Sequence, residues 1–255
     1  LTEGFWYQKW GGGHGASQEY IEDWARNWAH AVGIVAEECH KINPTIEILP
    51  WEYNIDFRPQ NVETKRFFIR QLPQSTIPLL TWENGKSFEI DGMQGYLRDY
   101  AINQVGPAEV TEAQFAEARS RGMKVYSNAQ TFVCGAQLQT LPYHPFPYQW
   151  HARYMAMDKL GVNGTLESWS TAYTPNIMTE FRAWYCWSDA PPPDDLLSAI
   201  AARDFGAENA GDVVKAWRFF SEAIRTLPDT GPYMGTGNAT GNPLFFEPPP
   251  ARTAT

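Results

Sequence analysis

Apolar positions recur every three or four residues through 18–42, where Ile21, Trp24, Trp28, Val32, Val35 and Cys39 line one side of a predicted helix. Asn43-Pro44 ends it, because the residue before a proline is pushed out of the helical region. The pattern then shortens to a β-branched, apolar run, Ile46 to Tyr53, which predicts a strand. The alternation repeats. A helix over 61–72 stops at Pro73, and a strand runs from Ile77 to Trp82. Thr111 and Gln114 have capping-box spacing for a helix to Arg121, with Gly122 just past its end. A strand follows at Lys124 to Gln130. Trp150, Tyr154, Met157 and Leu160 then form a helical stripe closed by Gly161, ahead of a strand at 163–169. Thr174-Pro175 reads as an N-cap and first helical residue, opening a helix through about Trp187. Asp194 and Asp212 open two more helices. Residues 84–107 are too long for a plain connector, and the tail from Pro228 is irregular.

Strand, polar tip, loop, helix and strand again is the rhythm of a β/α barrel. Its tips fall at Glu52, Glu83, Gln130 and Glu167, with a further strand end at Glu3. They recur every 30–50 residues or so, against about 31 for one unit of a ~250-residue barrel. Five parallel strands do not close such a barrel. The pattern therefore predicts the later strands, about four to eight, of a (β/α)8 TIM barrel over 1–190, then a C-terminal helical region and tail over 191–255. An open doubly wound sheet is the alternative. The chain begins at Leu1 in what reads as the end of a strand, so the expected barrel would continue upstream. Two open sheet edges would favour association between copies, though the sequence fixes no oligomeric state.

Composition narrows the function. A net charge of −9 disfavours nucleic acid and anionic membranes as partners. No apolar run approaches the ~20 residues of a membrane span. No signal peptide opens the chain, which leans towards a cytoplasmic protein. Three scattered cysteines and five histidines without HExxH or HxH spacing offer neither a disulfide framework nor a metal site. Gly11 to Gly15, GGGHG, fits no phosphate-binding fingerprint, and no cofactor is implied.

Barrel enzymes keep their chemistry at strand tips. Glu3, Glu52, Glu83 and Glu167 are the candidate catalytic carboxylates, since glycoside hydrolysis uses one carboxyl to protonate the leaving oxygen and another to attack the sugar or activate water. Trp51, Tyr53, Trp82, Tyr143, Phe146 and Trp169 are candidate platforms for a pyranose ring. Asn128 and Gln130 are candidate partners of its hydroxyls. An equally direct reading of each aromatic is core packing. On strand parity Trp51 and Glu52 point opposite ways, as do Trp82 and Glu83.

The stretches NIDFRPQNVETKRFFIRQLP, LLTWENGKSFEIDG, NQVGPAEVTEAQFAEARSRGMKVYSNAQTF, GVNGTLESWS and LLSAIAARDFG with VVKAWRFFSEAIRTLPDTGP carry a resemblance. They resemble an uncharacterised group of bacterial glycoside-hydrolase-like proteins, similar at a distance to β-N-acetylhexosaminidase and α-glucuronidase barrels. The resemblance implies a general acid at the end of strand four, here Glu3, and a base from later strands, here Glu83 or Glu52. Thr2-Glu3 departs from the Asp-Glu pair of the hexosaminidases, which argues against acetamide-assisted catalysis. The reading is a glycoside hydrolase acting on an oligo- or polysaccharide. A non-catalytic carbohydrate-binding protein on the same scaffold is the alternative. A barrel lyase or metal-dependent hydrolase is a third.

Overall fold

Helix α1 (Gln18–Ile42) lies where the periodicity places it, but its buried line is not the predicted stripe. Ala25, Ala29 and Ala36 are buried, Trp24, Trp28 and Val32 are half-buried, and Val35 is exposed. Small residues let α1 sit close against α2 (Val62–Gln71), where Phe68, Ile69 and Leu72 are buried. The large rings then pack along the flank, with Trp24 6.4 Å from Phe68 between centroids. A computed structural model of the protein describes residues 18–52, 62–90, 92–97, 103–129, 145–167 and 176–226.

Three short strands, β1 (Leu79–Thr81), β4 (Tyr126–Asn128) and β5 (Gly164–Leu166), form a parallel sheet in the order β1-β4-β5. Residues 46–52 run parallel outside β1. Ile77 N–H donates to Ile48 O, Leu79 N–H to Pro50 O, and Trp51 bridges Leu79. Pro50 has no N–H to give, which suits an edge position and keeps this segment from being a regular strand. Between β1 and β4 the chain makes an antiparallel hairpin, β2 (Ser87–Ile90) and β3 (Met93–Tyr96), with Gly92 at φ 78°. The hairpin was not expected. Its ends meet where Gly85 N–H donates to Leu97 O, and Ala108 N–H then returns to Trp82 O.

That return starts helix α3 (Glu109–Ser120) at Ala108. Thr111 is therefore inside the helix and not its cap. Its hydroxyl donates instead to Thr81 O at 2.8 Å, tying α3 to β1. Helix α4 (Pro147–Leu160) ends at left-handed Gly161, as expected. Helix α5 (Ile177–Tyr185) is capped by Asn176, whose side chain accepts from Met178 and Thr179 N–H, and not by the predicted Thr174-Pro175 pair. Helices α6 (Pro193–Phe205) and α7 (Ala210–Ala223) complete the described chain, with a short 3-10 turn at Ile224–Thr226.

Two apolar cores result. One lies between the sheet and α1–α3, around Leu80, Trp82, Phe115 and Val125. The other lies among α4–α7, around Trp150, Phe181, Leu197 and Trp217. Helix α4 joins them, with Met157 in the first and Trp150 in the second.

The expected (β/α)8 barrel, with strands four to eight, is not the fold. The described residues hold one three-stranded parallel sheet, one two-stranded sheet and seven helices. The sheet is open because its strands are only three residues long and because described residues past Leu166 form helices, not a returning strand. No helix among them is long and apolar enough to cross a membrane.

Gly164 is a tight point in the sheet. A Cβ there would lie 2.7 Å from the ring of Tyr126, its cross-strand neighbour, whose hydroxyl donates to Glu47 at 2.8 Å. Gly164→Ala should cost about 1–3 kcal/mol, as overpacking does, and lower the urea midpoint accordingly. An unchanged midpoint would mean that the Tyr126 ring moves aside freely.

Candidate active site at the strand ends

The parallel arrangement brings Glu52, Glu83 and Glu167 to the same end of the sheet. Glu52 N–H donates to Leu79 O, Trp82 N–H to Asn128 O, and Ala129 N–H to Leu166 O, so each strand passes its last hydrogen bond to its neighbour beside one of these glutamates or Asn128. Parallel strands place the same chemical direction at one edge, and this is the edge where α/β proteins gather polar groups.

Each carboxylate meets a cation from a helix. Glu52 is buried, with Oε2 3.0 Å from Lys65 Nζ of α2, itself buried. Its Oε1 accepts from the Thr81 N–H at 3.4 Å. Glu83 is fully buried, and its Oε2 accepts from Arg153 Nη2 of α4 at 3.2 Å. Glu167 accepts the Thr165 hydroxyl at 2.7 Å on Oε1 and pairs through Oε2 with Arg182 of α5. Burial lowers the Arg153 guanidinium from its usual value, and the charges of Glu83 and then Glu167 oppose that fall. A guanidinium stays protonated in proteins even so. A positive partner within hydrogen-bond distance favours the ionised carboxylate. The Arg153 partner thus favours the ionised form of Glu83, the form required of a base or nucleophile and not of a proton donor.

Asn128 ends β4, the central strand, in register with Thr81 on one side and Leu166 on the other. Its Oδ1 is buried and has no hydrogen-bond partner among the described residues. An unsatisfied buried acceptor of this kind costs about 1–3 kcal/mol. Trp51 is half-buried at the edge and its Nε1–H donates to Thr81 Oγ1 at 3.4 Å.

Two aromatic candidates are core residues instead. Trp82 is fully buried, meets Phe115 edge-to-face at 6.5 Å, and donates its Nε1–H to Val105 O at 3.0 Å. Phe146 is buried in the helical core. Neither offers an open ring face to a sugar. Glu3, Tyr53, Gln130, Tyr143 and Trp169 lie outside the described residues.

No family model matches this chain. No curated protein and no solved structure matches it either. The likeness to hexosaminidase and glucuronidase barrels accordingly stands on the sequence stretches alone.

The cations were missed at the sequence level, although two left a trace. Lys65 is spaced three, four and seven residues before Phe68, Ile69 and Leu72, on the buried face of α2. Arg153 sits between Trp150 and Met157 on the buried stripe of α4. A charge inside an apolar stripe needs a buried partner. Arg182 follows buried Phe181 and is only partly covered, so the sequence offers no such mark for it. Among the described residues, no group of three or more His, Cys, Asp or Glu could hold a metal ion.

Proposed function

We propose that this protein hydrolyses glycosidic bonds, with Glu83 as base or nucleophile and Glu3 as proton donor. Glu52 and Glu167 act as supporting carboxylates, and Trp51 and Trp169 as aromatic walls for the sugar. In this scheme the glycosidic oxygen takes a proton as it leaves. Glu83 either attacks the anomeric carbon or removes a proton from the attacking water. Support comes from one observation above the rest. At the same sheet end as a buried, ion-paired carboxylate stands Asn128 Oδ1, an acceptor with no donor among the described residues. Sugar hydroxyls are donors that fit such an acceptor.

The second reading, a carbohydrate-binding protein without turnover, has its own observation. Each described carboxylate of the cluster is neutralised by a cation, which suffices to explain them as structural.

Asn128→Leu tests the buried acceptor on which both readings draw. It removes the bare acceptor at nearly constant volume. Titration calorimetry against a panel of mono- and disaccharides should show affinity reduced roughly fivefold, as one hydrogen bond of about 1 kcal/mol requires. The thermal midpoint should hold or rise. Unchanged affinity for every sugar that the wild type binds, or no sugar bound at all, would remove Asn128 from the site.

A further inference from the structure

Arg153 owes its burial to its place on α4. It shares a face with Trp150 and Met157, three residues before and four after, and these two anchor the helix in separate cores. The guanidinium is thereby carried to the sheet end with almost no solvent contact. Burying a charge in this way is unfavourable unless opposite charge is held in good geometry beside it. Here Glu83 accepts its Nη2–H, and Glu167 adds a second negative charge.

Among the described residues, Arg153 is the cation that an ion pair places on Glu83. Glu167 has its own partners in Arg182 and Thr165. Glu52, on the other side of β1, is held by Lys65. Lys86, three residues past Glu83, directs its ammonium to Pro107 O at 3.0 Å, with Glu109 and Glu112 as the carboxylates acting on it. Arg203 is engaged far off by Glu180 and Asp204. A planar guanidinium fixes both charge and direction, which a lysine ammonium does not.

We propose that Arg153 is a positioning residue for the chemistry assigned above: it holds the Glu83 carboxylate ionised and oriented at the end of β1. The catalytic meaning rests on the proposed role of Glu83. The electrostatic part does not.

The test is the carboxyl titration of Glu83, followed by 13C NMR in the full chain labelled at glutamate, its resonance assigned by loss in Glu83→Gln. In Arg153→Met the midpoint should rise by about one to three pH units against the wild type. Arg153→Lys keeps the charge and guards against a methionine variant that does not fold. It should show a smaller rise. On a chromogenic aryl glycoside that the wild type hydrolyses, Arg153→Lys should lower kcat at least roughly tenfold with KM within about twofold, the loss belonging to orientation. An unmoved midpoint in the folded variants, or full kcat in Arg153→Lys, would overturn the assignment. A wild type that hydrolyses no glycoside would sink the hydrolase reading, while the titration would still decide whether Arg153 governs Glu83.

Discussion

Arg153→Met alone should destabilise the fold by about 3–5 kcal/mol, and adding Glu83→Leu should recover most of that loss. Both partners are almost wholly buried, at 2% and 0% side-chain exposure. Removing the cation leaves a carboxylate in a low-dielectric site without its counter-charge. Removing both leaves apolar side chains of similar size, which a packed interior accepts. Glu83→Leu alone strands the guanidinium and should cost a similar amount. Urea denaturation of the wild type, both single variants and the double variant closes the cycle. Single losses below about 1 kcal/mol that add without coupling would place the pair in a wet, screened setting. The exposed pair Arg218–Asp194 is the natural contrast, since water screens it and its loss should barely register.

Trp82→Ala should cost about 3–5 kcal/mol, the range for deleting a large aromatic from a core. The ring is fully buried, packs edge-on to Phe115, and anchors the loop at Val105 through its Nε1–H. Trp82→Phe keeps most of the apolar volume and loses only that hydrogen bond and part of the ring, so it should cost much less. Sugar affinity should be the same in Trp82→Phe as in the wild type. A clear affinity loss there, with the melting curve intact, would return Trp82 to the binding surface.

The local elements were legible because period and punctuation agree. The run from Gln18 to Ile42, the stop at Asn43-Pro44 and the left-handed glycines at 122 and 161 all follow from sequence pattern and backbone sterics. The hairpin could have been found too. SFEI and MQGY flank an Asp-Gly dipeptide in the sequence, a strong short-range signal for a tight hairpin. The cap of α3 was misplaced because tertiary hydrogen bonds decided it. Ala108 is held by Trp82 O, and Thr111 is spent on Thr81 O.

Closure of a barrel was not legible. Residues 46–52, β1, β4 and β5 do follow one another in chain order and in parallel, as the alternation suggests. Whether a sheet closes depends on strand length, shear and a last strand meeting the first, none of which appears in a local pattern. The candidate site divided along the same line. Carboxylates at strand tips could be read from position, and the structure gathers Glu52, Glu83 and Glu167 at one sheet end. Their cations come from residues 65, 153 and 182, distant in sequence, so only the fold could pair them.

The proposed chemistry of Glu83 at this sheet end is tested most directly by turnover. Wild type and Glu83→Gln should be compared on a panel of aryl glycosides, with folding checked by circular dichroism and sugar binding by calorimetry. Hydrolysis by the wild type is expected, with background rates in a folded Glu83→Gln that still binds sugar. Equal turnover by the two, or a folded wild type that binds sugar and cleaves nothing in the panel, would contradict it.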